Sequence, residues 1–325
     1  MRKILITITI GLATVAYGQQ MPQFSQYLRN QYMVNPGAAG MYDFLDITLG
    51  GRMQWLGFKN APKTSYLYAS SALSKRSKVK YNPSLRTSNG PIRNPEIKTG
   101  KLKHAVGGIL LADEYGAYRQ LKIAGTYALH IPVAQNYNLS FGVNIGVSNR
   151  AFLKDRAQTL NMMTGVGTDP TYDTYSQQSN SNTMDVGAGM YFYSDRLFVG
   201  ISADQLTRDY VSFGSGTVNF DPNMHFYATA GYKIGLNDNL SLMPAVLVKY
   251  MGPAPLSIEG SLQFEYKEWL WMGLTYRNQD AIVAMAGLNI SRRFKLGYSF
   301  DYSVSRFNNY SSGGHELVLG IMLGR

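Results

Sequence analysis

The stretch NLSFGVNIGVSN, Asn138 to Asn149, decides the fold. Leu139, Phe141, Val143, Ile145 and Val147 share one parity, and Ser140, Gly142, Asn144, Gly146 and Ser148 share the other. Successive side chains of a strand point to opposite faces, so this is a strand with one apolar face and one small, polar face. The segment is about 10 to 12 residues long, longer than the ~5 to 6 of ordinary globular strands and matched to the ~9 to 11 that cross a bilayer at a tilt.

The same alternation recurs on both sides of this stretch. Before it, Leu121, Ile123, Tyr127, Leu129 and Ile131 oppose Gln120, Lys122, Thr126 and His130. After it, Leu256, Ile258, Leu262, Phe264 and Tyr266 oppose Ser257, Glu259, Ser261, Gln263 and Glu265. Phe294, Leu296, Tyr298, Phe300 and Tyr302 oppose Lys295, Gly297, Ser299, Asp301 and Ser303. Segments of this kind fall at roughly 44–57, 64–74, 103–113, 119–131, 138–149, 184–194, 197–207, 224–235, 240–250, 256–266, 269–277, 281–291, 293–304 and 315–324. Their number, fourteen, is even, as outer-membrane barrels require for both chain ends to lie on the periplasmic side, with short turns there and longer loops outside. The fold class expected is all-β: a transmembrane outer-membrane β-barrel of 14 antiparallel strands over residues 44–325.

Composition agrees. Only 16% of residues are charged, against 24 Tyr, 33 Gly and 14 Phe, a palette suited to strands. Tyr127, Tyr276 and Trp55 on apolar faces suit interfacial girdles. The polar parity should line the lumen, where Arg52, Lys122, Lys233, Lys249, Lys295, Asp185, Asp204, Glu259, Glu265 and Asp301 can pair or meet water without touching lipid.

The first residues read as an export signal. Arg2 and Lys3 precede an apolar run from Ile4 to about Val15, and Ala16 and Gly18 flank Tyr17 as a small-residue cleavage site, so residues 1–18 are expected to be a signal peptide. The run is too short to span a membrane, and with no cysteine there is neither lipid anchor nor disulfide framework. An exported chain rarely meets nucleic acid. Its formal net charge of +11 therefore points to anionic lipid or an acidic protein partner. Much of that charge sits in the connection 75–103, whose nine basic residues and single acid, Glu96, should form a solvated run or a docking arm on the periplasmic side.

Between leader and barrel, residues 19–43 form an N-terminal periplasmic segment. Phe24, Tyr27 and Leu28 at roughly helical spacing suggest a short amphipathic turn or helix, stopped by Asn35-Pro36-Gly37. It is the nearest candidate for a lumen plug or a rim helix.

Catalytic signatures are missing from the sequence. His104, His130, His225 and His315 are far apart and none belongs to a metal-binding pattern, and no phosphate-binding loop or nucleophile elbow occurs. Gly187 and Gly189 lie inside an alternating strand and read as close packing in the barrel wall. No enzyme activity, metal or cofactor is expected.

Three stretches carry a resemblance: PQFSQYLRNQYMVNPGAAG (Pro22 to Gly40), Trp55 with GFKNAPKTSYLYAS (Gly57 to Ser70), and GYSFDYSVSRFNNYSSGGHELVLGIMLG (Gly297 to Gly324). Together they resemble the PorP/SprF family of type IX secretion system membrane proteins. That resemblance implies an integral outer-membrane barrel serving gliding or adhesin export. Its partners would be a large secreted adhesin with a type IX sorting domain and the periplasmic secretion machinery. The residues then expected to bind partners are Gln23, Phe24, Ser25, Gln26, Tyr27, Asn35 and Pro36 at one end. At the other they are Asp301, Ser303, Ser305, Tyr310, His315 and Glu316 around the last hairpin. Barrel size and a polar lumen alone would suit a different protein, a passive porin for small solutes.

Overall fold

Fourteen alternating segments close into one ring in the computed structural model. It describes residues 22–73, 102–165, 167, 169–177, 180–208, 211–213, 223–252, 254–267 and 269–324. The leader at 1–18 and all but the last two residues of the basic 75–103 connection lie outside the described residues. The strands are β1 (Leu45–Met53), β2 (Lys63–Ala72), β3 (Lys103–Tyr115), β4 (Tyr118–Ala134), β5 (Tyr137–Phe152), β6 (Asn180–Tyr193) and β7 (Leu197–Asp204). There follow β8 (His225–Tyr232), β9 (Leu240–Met251), β10 (Ser257–Tyr266), β11 (Leu270–Arg277), β12 (Ala281–Asn289), β13 (Phe294–Ser303) and β14 (Gly314–Leu323).

Each strand pairs antiparallel with its neighbours in sequence, and β14 returns to β1 with Leu323 opposite Leu45 and His315 opposite Met53. Closure leaves no free sheet edge, the condition for a sheet to survive in lipid. No helix among the described residues is long and apolar enough to cross a membrane. Two further strand pieces, Ser212–Phe213 and Ile234–Gly235, lean on β6 and β9.

The period-two pattern sorts side chains as a membrane barrel needs. On β5, Val143, Ile145 and Val147 are exposed, while Ser140, Asn144 and Ser148 are buried. The apolar face is the outer one: Ile145 is 54% and Leu274 60% exposed, which for a soluble protein would be an aggregation surface and for a barrel is the lipid contact. Tyr127 and Tyr276 join this outer face. Trp55 does not; β1 ends at Met53, and Trp55 sits at positive φ in the loop beyond.

Apart from the long connection that joins Ala72 to Lys103, the connections at the rim shared by Leu45 and Leu323 are short, and most of the long ones lie at the other rim, so the former is periplasmic. Several strands, β3 to β6 most clearly, run past their expected bounds. β4 and β5 reach 17 and 16 residues, joined by a hairpin turn of only Gln135-Asn136, with Asn136 at φ 68°, where Asn is tolerated. The outer connection from 153 to 179 is not plain loop. It carries two short helices, Leu160–Thr164 and Pro170–Gln177, the first capped by the Thr159 side chain.

Candidate functional site: an occupied lumen

Small residues on the inner faces leave the barrel room for more than its own side chains, and that space is filled by residues 22–41. The segment contains no α-helix. Residues 25–29 form a turn, followed by 3-10 turns at Gln31–Met33 and Pro36–Ala38. The Asn35-Pro36-Gly37 run starts the second of these turns instead of stopping a helix. The Asn35 side chain accepts the Gly37 N–H, and proline, lacking an N–H, fits the first helical position.

The segment is bound on every side. Near the outer mouth, Lys249 of β9 donates to Gln23 Oε1 at 2.7 Å. Ser25 donates its N–H to Glu316 Oε2 of β14 at 2.7 Å and its hydroxyl to Asp301 of β13 at 2.8 Å, while Arg52 of β1 donates to the same hydroxyl. Tyr27, fully buried, hydrogen-bonds Ser261 of β10. Asn30 donates to Tyr66 and accepts from Tyr68, both of β2. Tyr32 donates to Thr126 of β4. Burial raises the phenols of Tyr27 and Tyr32, the latter to about 12, so both stay protonated at any ordinary pH.

Further along, contacts pass from side chains to backbone. The Asn35 amide donates to the carbonyls of Met190 (β6) and Ile201 (β7), each at 3.1 Å. Ser202, Ser140 and His130 then meet the carbonyls of Val34, Gly37 and Ala39. Close approach here depends on glycine. A Cβ at Gly142 would overlap the Pro36 carbonyl, and one at Gly189 would overlap the Asn35 side chain. Gly189 therefore serves the segment, whereas the sequence pattern alone suggested packing within the wall; Gly187 faces Asn144 and Asp204 instead.

Around the segment, the wall carries self-paired charges. Lys249 pairs with Glu259, Glu259 with Arg277 at 3.2 Å, Arg277 with Asp301 at 3.2 Å, and Arg52 with Asp301 at 2.7 Å and Glu316 at 3.4 Å. Across the lumen Lys122 lies 2.6 Å from Asp204 and 3.6 Å from Asp185. Toward the periplasmic rim, Lys295 pairs with Asp46, and Lys233 with Glu265. Each charge that the alternation assigned to the lumen is thus on the inner face with a partner of opposite sign. Arg277 and Asp46 belong to the same network and were not singled out from sequence, although both sit on the polar parity of their strands.

The residues expected to bind partners fall into two sets. Phe24, Ser25, Gln26, Tyr27, Asn35, Pro36, Asp301, Ser303 and Glu316 are buried, and Gln23 is half-buried; Ser25 brings the two ends of the chain together by joining Asp301 and Glu316. Ser305 is half-buried beside Ser303. Tyr310 is 75% exposed on the β13–β14 hairpin, and His315 faces outward, bonded to the Tyr298 hydroxyl. Among the described residues, no cluster of His, Asp or Glu has the arrangement of a metal site.

Two small cavities flank the segment on its outer side. One, of about 50 Å³, is bounded by Phe24, Val34, Lys122, Asn144, Asp204 and His225; the other, of about 20 Å³, by Arg52, Trp55, Arg277 and Asp301. Each has room for one or a few waters, and neither is a channel.

Comparison with known proteins gives a family and a fold. The family described as type IX secretion system membrane protein PorP/SprF matches residues 16–321. No curated protein sequence matches the chain. Among solved structures, the TodX deltaS2S3 mutant monoaromatic hydrocarbon channel is similar at 8% identity, covering 90% of this chain and 94% of that one, with a TM-score of 0.50. The CymD monoaromatic hydrocarbon channel is similar at 11% identity over 94% of each chain, with a TM-score of 0.49. BamA from Haemophilus ducreyi, lacking POTRA domains 1–3, is similar at 10% identity over 86% and 70%, with a TM-score of 0.42.

Proposed function

Since the chain belongs to the PorP/SprF family of type IX secretion system membrane proteins, we propose that this outer-membrane barrel binds and anchors, or assists the surface export of, a large secreted adhesin. It engages that adhesin through a type IX sorting domain, with the periplasmic secretion machinery as its second partner. It binds rather than catalyses. The observation that carries this reading over a passive porin is the filled lumen. A porin keeps a water-filled channel, whereas here Tyr27, Leu28, Val34 and Ala39 of the chain's own segment are buried at the barrel's centre.

Family membership supports the link to type IX secretion, and the choice of an adhesin as cargo is the finer step that needs a direct test. Deleting the gene in its native host should leave one giant surface adhesin unsecreted while other exported proteins still reach the surface. Purification of the barrel in mild detergent should bring that adhesin with it, identified by mass spectrometry. Normal adhesin export after deletion, with no co-purifying secreted protein, would refute the proposal and return the barrel to solute transport.

A further inference from the structure

Around the outer rim, the outward-facing positions divide the barrel into two sectors. From β8 to β13 each strand places an aromatic or aliphatic side chain there: Phe226, Tyr250, Ile258, Tyr276, Ile282 and Tyr302, all between 41% and 54% exposed. That is the apolar and aromatic edge a membrane barrel shows to the headgroup region.

β2 to β4 break this edge. At the corresponding outward positions they carry Lys63, Glu114 and Arg119, and these are neighbours in register: Lys63 lies opposite Glu114, and Glu114 opposite Arg119. Glu114 is paired with Arg156 at 2.8 Å, which leaves Lys63 and Arg119 on either side of it without a carboxylate of their own among the described residues. The connections above are stitched to one another. The Gly116 N–H donates to the Asn60 carbonyl, the Leu153 N–H donates to the Ala117 carbonyl, and the Asn60 amide reaches the Arg156 carbonyl at 3.5 Å. This gathers Lys59, Lys154 and Arg156, all exposed, over the same sector, where the acids are Glu114 and Asp155. Below the cations the wall turns apolar at once. Leu67, Leu110, Leu121 and Ile123 are exposed on the same outward face, and Leu121 is two residues from Arg119, about 7 Å along the strand.

We propose that the outer rim of β2 to β4 is a binding site for a phosphorylated lipid of the outer leaflet. Lys63 and Arg119 stand two strand spacings apart, about 10 Å, and their long side chains converge on one phosphate. Arg119 offers a planar fork for two phosphate oxygens, and Lys63 adds a mobile point charge. The acyl chains lie on Leu67, Leu110 and Leu121. A cationic shelf above a bare apolar wall has the polarity of a lipid, an anionic head over hydrocarbon. An acidic soluble partner would meet the cations and make no use of the wall beneath them, so the lipid is the occupant that uses both. The site fixes one sector of the barrel in the outer leaflet and leaves the mouth and the filled lumen untouched, whatever the barrel exports.

Native mass spectrometry of the full chain in detergent tests it, with diphosphoryl lipid A and its dephosphorylated form as probes. The unaltered chain should bind the phosphorylated form at least ~10-fold more tightly, and this preference should shrink as salt is raised. Equal binding of the two forms would overturn the proposal. The Lys63→Gln, Arg119→Gln double variant, with the far-UV circular dichroism of the parent, should lose at least ~10-fold in affinity for the phosphorylated form. Arg196→Gln, which removes an exposed arginine from the periplasmic turn between β6 and β7, should leave that affinity unchanged. Equal losses in the two variants would mean that net charge is read and not a site. Inorganic phosphate or polyglutamate at the lipid's concentration should not displace it; displacement by either would assign the cations to a soluble anion and contradict a lipid site.

Discussion

At the scale of single residues, the lumen is a charge-balanced interior, and its weakest point is the residue with the most partners. Arg277 is fully buried and joins Glu259, Asp280 and Asp301. Arg277→Met strands buried carboxylates and should lower barrel stability by about 3–5 kcal/mol, read from denaturant unfolding in detergent. The Glu259→Gln, Arg277→Met double variant should regain part of that loss, since one stranded charge is gone. Asn35→Ala removes the amide that meets the Met190 and Ile201 carbonyls and should cost about 1–3 kcal/mol by the same measurement. The inner-face charges were legible in the sequence because each occupies the polar parity of an alternating strand. Arg277, on the same parity at the end of its strand, was legible in the same way but was not singled out. The roles of Gly142 and Gly189 were not legible. A glycine that admits another backbone and one that packs within a wall look the same in sequence.

At the scale of elements, the strands and the internal segment differ in how their information is written. A membrane strand separates lipid from lumen along its whole length, so period two records it locally, and every strand segment read from sequence has its counterpart in the ring. Residues 22–41 have no such period. Their partners lie up to 291 residues away, as for Ser25 and Glu316, and no local pattern encodes a path across a lumen. The apolar spacing of Phe24, Tyr27 and Leu28 suggested a helix, but these side chains fit three different parts of the wall, and a turn delivers them where a helix would put all three on one face. Replacing all three with Ala should leave the strands intact by far-UV circular dichroism while making residues 22–41 accessible to added protease. Gly142→Val, which pushes on the Pro36 carbonyl, should expose the same segment to protease from the anchored end. Unchanged protease resistance in both variants would mean that the segment is held by something other than these contacts.

At the scale of the whole molecule, the barrel has reversed the usual order of a soluble protein. Its outer surface is the apolar one, offered to lipid by residues such as Ile145 and Leu274, and its buried interior mixes paired charges with apolar side chains around residues 22–41. An even strand number puts both ends of the barrel, Leu45 and Leu323, on the periplasmic rim. The segment then runs from the outer half of the lumen, at Gln23 and Lys249, to the start of β1 at Leu45. The filled interior is what favours the proposed export partner over a porin, and planar-bilayer recording of the purified full chain tests it most directly. The account predicts a closed protein, with no steady open current at low voltage and rare openings at most. A steady, voltage-independent conductance from every inserted molecule would contradict it.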